Sequence, residues 1–212
     1  MPDLDTVPGA SSPPPAEAAR KRPKPGERRV QILQALAAML EHPGAERVTT
    51  AALAAKLDVS EAALYRHFAS KAQMFEGLIE FIESSVFTLV NQVVEREPSA
   101  AAQARKIAAL LLQFGEKNPG MTRVMVGDAL VFEHERLGAR MNQFFDRLEA
   151  QLRQCLRSAA EAAGSPTPTV DASALASALV CLVIGRLQRY ARSGFRRSPL
   201  EHLDAALVRL TA

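Results

Sequence analysis

TTAALAAKLDVSEAALYRHFASK, residues 49–71, decides the fold of this 212-residue chain. Thr49 and Thr50 can cap a short helix whose apolar positions Leu53, Ala54 and Leu57 recur at helical spacing. Ala54 is small enough for a second helix to cross closely over it. Asp58 then stands at the tight turn, where the backbone needs a residue that tolerates a left-handed conformation; Asp does so far better than a branched residue. Val59 plugs the corner, and Ser60 with Glu61 opens the next helix as an N-cap followed by an acidic first-turn residue. Ala62, Ala63, Tyr65, Arg66 and His67 share that helix of about two turns, with Leu64 and Phe68 facing inward. A short helix with small residues at its start fits a major groove roughly 12 Å wide, which is the geometry of a recognition helix.

At these residues the chain resembles the TetR family of bacterial DNA-binding proteins, whose recognition helix ends in Tyr-x-His-Phe followed by a Ser-Lys pair. Here those residues are Tyr65, His67, Phe68, Ser70 and Lys71. The resemblance is closest to the nucleoid occlusion branch of that family. It rests on SEAALYRHF (60–68), MFEGLIEFIE (74–83), FGEKNPGMTR (114–123) and RMNQFFDRLEAQLRQ (140–154), segments spread over most of residues 30–157.

Composition is compatible with a helical DNA-binding protein. Hydrophobic residues make up 48% of the chain, enough to build a core, and the net charge of +3 favours an acidic partner only weakly. The distribution of charge is more informative: Arg20, Lys21, Arg22, Lys24, Arg28 and Arg29 crowd together before the first helical pattern, opposed only by Glu27. Such a cluster can neutralise several phosphates. No apolar run approaches the roughly 18 residues that span a bilayer, and the N-terminus is Pro-rich and then basic, unlike a signal peptide. A cytoplasmic location without a membrane partner is therefore expected, and the family resemblance implies association with the nucleoid. Cys155 and Cys181 lack metal-ligand spacing and suggest neither a zinc site nor a disulfide framework. The four histidines are scattered and no glycine-rich phosphate loop is present, so neither a catalytic site, a metal site nor a cofactor is expected. FEHER at 132–136 lacks the second histidine of a metal-binding helix and reads as a solvated charged turn.

The expected architecture is all-α: a disordered Pro-rich and basic tail over 1–26, a three-helix DNA-binding domain over 27–70, and a larger helical regulatory, partner-binding and dimerisation domain over 71–212. The first helix spans 27–41, with Val30, Leu33, Leu36, Ala37 and Leu40 on one face and His42-Pro43-Gly44 at its end. A fourth helix over 71–96 carries an inward stripe of Phe75, Leu78, Ile79, Ile82, Val86, Leu89 and Val93. Further helices are expected at 100–117, 121–129, 132–163, 171–192 and 199–210, with GSPTPT (164–169) as the strong break. ALASALVCLVIGRLQRYARS (174–193) is apolar on more than one face, which suggests burial against a second subunit. The family resemblance implies a homodimer built on a four-helix bundle, presenting two recognition helices to a pseudo-palindrome of double-stranded DNA.

The expected division of labour on DNA assigns sequence reading to the helix opened by Ser60 and Glu61, with Ala62 and Ala63 allowing close approach to base edges and Tyr65, Arg66 and His67 shared between bases and phosphates. Thr49, Thr50, Lys71 and Arg28 are placed for phosphates. Two readings of the larger domain remain open. In one, a small ligand alters the spacing of the recognition helices, although the chain has no Trp and only two Tyr for an aromatic cage. In the other, the outer surface binds a protein and no small-molecule ligand is required. The resemblance implies that this partner is the tubulin-like division protein FtsZ, whose C-terminal tail would dock on Phe81, Leu110, Lys117 and Asn118. DNA-bound dimers would then antagonise FtsZ polymers and block septum formation over the nucleoid. Leu89 and Gln113 depart from the pattern of that branch, which has a basic residue and a glycine there.

Overall fold

The computed structural model describes residues 26–42 and 48–211. The expected tail, its basic cluster from Arg20 to Lys24, and Pro43-Gly44 lie outside those residues. Among the described residues there are nine α-helices, one 3₁₀ turn and no strand: α1 Glu27–Leu40, α2 Thr50–Lys56, α3 Glu61–Tyr65, α4 Lys71–Arg96, α5 Ala100–Lys117, α6 Pro119–Met125, the 3₁₀ turn Asp128–Leu130, α7 Glu135–Ala162, α8 Pro168–Arg192 and α9 Leu203–Leu210.

Side-chain caps start most of the helices that position the site. Thr49 accepts from the Ala52 amide at 3.1 Å, Ser60 from Ala63 at 3.3 Å, Ser70 from Gln73 at 3.2 Å and Ser99 from Ala102 at 3.4 Å. Each such cap contributes on the order of 1 kcal/mol. Asp58 adopts φ 54°, the left-handed turn that the sequence requires between α2 and α3. Leu53, Ala54, Leu64 and Phe68 are buried beneath that turn together with Ile32, Leu36 and Leu40 of α1. The inward face of α1 is rotated from the expected one: Ile32 and Ala35 are buried, whereas Val30 is exposed.

The long helix α4 carries the small module into the larger body. Its buried stripe is Met74, Phe75, Leu78, Ile79, Ile82, Val86 and Val90. Leu89, expected in that stripe, points to solvent, because the i+4, i+4 rhythm from Ile82 runs through Val86 to Val90. α7 crosses α4 and is fastened to it by charged pairs, Arg136 to Glu76 at 2.7 Å and Arg140 to both oxygens of Glu83 at 3.2 and 2.7 Å. The bidentate Glu83 holds the Arg140 guanidinium more firmly protonated than usual. Phe144 packs edge-on between Phe87 and Phe145, with ring centroids at 5.6 and 5.1 Å.

Several boundaries differ from the sequence expectation for local reasons. α3 has five residues rather than two turns, since Arg66 already caps it and His67 starts the exit. α6 begins at Pro119 rather than Met121, using the proline in the first turn where its missing N–H is harmless. The segment expected to continue to 129 breaks at Gly127, φ 80°, into the 3₁₀ turn. α7 begins at Glu135 because the His134 ring caps the Arg136 amide at 3.3 Å. α8 starts at Pro168 and α9 at Leu203, the latter after His202 in a left-handed conformation. The expectation that nothing approaches a membrane span needs correction: α4 and α8 are each long and apolar enough to cross one by length and composition alone. Both contribute full stripes to the helical core. On α8, Ala174, Ser177, Ala178, Cys181 and Gly185 remain outside that core.

Candidate functional site

The recognition helix stands clear of the body. Ser60, Glu61, Ala62, Tyr65, Arg66 and His67 are exposed and Ala63 is half-buried, while Leu64 alone anchors the helix in the core. Its exit is clamped by α1. Arg29 Nη1 donates to the His67 carbonyl at 3.0 Å, and the guanidinium lies 4.1 Å from the centre of the Phe68 ring. Arg29 therefore acts within the module, although the sequence placed it in the basic cluster. Its neighbour Arg28 donates to Gln31 at 3.2 Å on the same helix.

Thr49 and Thr50 divide their tasks. Thr49 caps α2, whereas the Thr50 hydroxyl donates to Glu61 Oε2 at 2.5 Å, joining the first turns of α2 and α3. Only helix-to-helix geometry could disclose this contact, since the two residues are 11 apart in sequence. Lys71, expected to face a phosphate, forms an ion pair with Glu133, and its ammonium lies 5.7 Å from the Phe75 ring. FEHER is thus more than a solvated turn: Glu133 holds Lys71 and His134 caps α7.

A second surface lies between the antiparallel helices α4 and α5. Phe81 is 48% exposed and Leu89 39%, on a helix whose opposite face is fully buried. Leu89 and Leu110 line one cavity of about 270 Å³, together with Gln92, Val93 and Arg96. Phe81 lies about two turns before Leu89 on α4, and Lys117 about two turns beyond Leu110 on α5, each roughly 11 Å along its own helix from that cavity. Lys117 is exposed; Asn118 ends α5, its amide donating to the Phe114 carbonyl at 2.7 Å. At the far end Lys106 donates to Glu97 at 2.5 Å, and this bond, with one from the Ser99 amide, holds the Glu97 carboxyl below its usual range. Leu89, expected in the inward stripe and also as a departure from the pattern of the nucleoid occlusion branch, is exposed and lines this cavity.

The exit of α5 touches the DNA-binding module. A side chain on Gly120 would place its first carbon 2.0 Å from the Ala37 carbonyl oxygen of α1. Beside it Arg123 pairs with Asp128 at 2.7 Å and reaches the Leu40 carbonyl at 3.4 Å.

An exposed short helix, set by a capped turn onto a three-helix module and braced by a helical body, defines a helix-turn-helix DNA-binding protein. Residues 32–78 match the profile of bacterial regulatory proteins, tetR family, and residues 99–211 that of the tetracyclin repressor-like, C-terminal domain of SlmA-like proteins. The chain is 53% identical over 182 residues to the nucleoid occlusion factor SlmA of Photobacterium profundum, covering 85% of this chain and 92% of that one. It is 50% identical over 191 residues to SlmA of Aliivibrio fischeri, covering 90% and 97%. The chain therefore belongs to the TetR family and, within it, to the nucleoid occlusion factors SlmA. The fold also matches a TetR-like transcriptional regulator from Rhodococcus sp. RHA1, with TM-score 0.70, 21% identity and coverage of 89% and 97%. FadR from Bacillus subtilis in complex with stearoyl-CoA gives TM-score 0.70 at 11% identity, covering 86% and 97%. At such identities the likeness concerns the fold alone.

Proposed function

We propose that this chain binds pseudo-palindromic chromosomal sites as a homodimer, antagonises FtsZ polymers while bound there, and so blocks septum formation over the nucleoid. Residues 27–70 form the DNA-binding module; residues 71–212 supply the partner groove and the dimer face. The α8 face carrying Ala178, Cys181 and Gly185 meets its counterpart across the twofold axis. The observation that carries the reading is the exposure of two large apolar side chains on α4, Phe81 and Leu89, the second of them lining a cavity with Leu110. A short tail with an apolar face would seat on that floor as a groove-bound peptide, with Lys117 as a positive edge and Asn118 offering its carbonyl and remaining N–H. Arg28, Thr49, Tyr65, Arg66 and His67 contact the DNA, and Thr50 and Lys71 act beside them from their pairs with Glu61 and Glu133.

Sedimentation of FtsZ polymers with GTP tests the proposal, comparing the protein alone, with a palindromic SlmA-type site, and with scrambled DNA. Loss of polymer only with the specific site, abolished by Phe81→Ala, is expected. No loss of polymer despite tight operator binding would return the chain to the class of ligand-responsive repressors.

A further inference from the structure

The carboxylate at the start of the recognition helix is out of place on a surface that approaches phosphates. Glu61 is exposed, and its negative charge opposes close approach to DNA unless a hydrogen-bond donor meets it there. In the major groove guanine presents only acceptors and thymine an acceptor and a methyl group. Cytosine presents the N4 amino donor, and the adenine amino group sits beside the N7 acceptor. A carboxylate is therefore accommodated best by cytosine and is repelled by guanine and thymine.

Thr50 adds the second half of the argument. Its hydroxyl holds Oε2 of Glu61 at 2.5 Å, leaving Oε1 to accept from elsewhere. The tether fixes a long side chain before DNA arrives, so less side-chain freedom is lost on binding. Ala62 follows directly and presents no bulk that would keep the helix out of the groove.

We infer that Glu61, held in place by Thr50, is a specificity-determining residue that reads the N4 amino group of a cytosine in each half-site. The inference rests on the reading of α3 as the recognition helix. The bland role for Glu61, a favourable acidic residue at a helix N-terminus, needs no base preference.

The experiment selects bound sequences from double-stranded oligonucleotides with two randomised half-sites, using the full-length wild type, Glu61→Ala, Glu61→Gln and Thr50→Val. The winners are then titrated at fixed salt. Wild type should demand cytosine at one half-site position by about tenfold or more over the other bases. Glu61→Ala should level all four bases at that position while leaving the other positions unchanged. Glu61→Gln, which keeps the shape and an acceptor for Thr50, should move the preference toward adenine, and Thr50→Val should weaken the cytosine preference severalfold without abolishing it. Identical base preferences in wild type, Glu61→Ala and Glu61→Gln would overturn the role of Glu61 while leaving DNA reading by α3 intact. A wild type that selects no sequence at all would overturn both.

Discussion

Arg29 reaches from the first turn of α1 to the backbone carbonyl of His67, at 3.0 Å, while its guanidinium covers the Phe68 ring at 4.1 Å. One side chain thus fixes the exit of the recognition helix against the helix that braces it. Arg29→Ala should lower the stability of the protein by about 1 kcal/mol, the joint worth of one exposed charge-assisted bond and a solvent-facing cation–π contact. Arg29→Lys should recover only part of that loss, because an ammonium cannot lie flat on the ring and reach the carbonyl together. Urea denaturation of the three proteins measures both steps.

Gly120 and Gly115 are both close-packed, but their substitutions should differ in cost. A Cβ at Gly120 would meet the Ala37 carbonyl oxygen at 2.0 Å, and backbone cannot move aside without parting α6 from α1. At Gly115 the nearest atom is the Leu187 Cδ2 at 2.4 Å, the far end of a side chain that can rotate, although Thr122 Oγ1 at 2.9 Å also crowds it. Gly120→Ala should therefore destabilise by about 3 kcal/mol and Gly115→Ala by about 1–2 kcal/mol. Equal shifts in thermal unfolding midpoint would mean that the α1–α6 seam yields more readily than its packing implies.

The helix-turn-helix was legible because its determinants are local. The Thr49 and Ser60 caps, the left-handed Asp58 and the inward pair Leu64 and Phe68 all act within a few residues, and each occupies its expected role. What escaped the sequence is what distant elements decide. Leu89 and Val90 are both apolar, and it is the packing of α4 against α5 and α7 that takes the Ile82, Val86 and Val90 row inward and leaves Leu89 in water. Lys71 and Glu133 stand 62 residues apart, and Arg29 and His67 stand 38 apart, so no spacing rule could pair them. Phe81, Leu110, Lys117 and Asn118, the residues expected to seat a partner tail, follow from the family resemblance rather than from periodicity. Phe81, taken alone, is as compatible with a core stripe as with an exposed one.

Arg66 and Lys71 should separate base reading from general attraction to DNA. Arg66 is exposed on the recognition helix, so Arg66→Ala should lose more affinity for a specific site than for random DNA. Lys71→Ala should weaken both alike and carry a second effect through the fold, because it leaves the largely buried Glu133 carboxylate without its cation. The single variant should lose about 1–2 kcal/mol of stability, and Lys71→Ala with Glu133→Gln should regain most of it. Titrations at fixed salt, paired with thermal melts of the single and double variants, check both parts. A double variant no more stable than the single one would show that Glu133 is satisfied without Lys71.

Phe81 offers the cleanest separation of partner binding from folding. With 48% of its surface already in water and no role in the buried stripe of α4, Phe81→Ala should change stability by no more than about 0.5 kcal/mol. The neighbouring Ile82 is fully buried, and Ile82→Ala should cost about 2–4 kcal/mol, marking the opposite face of the same turn. If the groove seats the FtsZ tail, Phe81→Ala should retain wild-type operator affinity and melting temperature yet lose at least tenfold in binding of a tail peptide followed by fluorescence anisotropy. Leu110→Ala should show the same separation less cleanly, because Leu110 is half-buried and packs against the core. A Phe81→Ala protein that binds the tail as wild type does would move the docking surface away from the α4–α5 groove, whatever its effect on DNA.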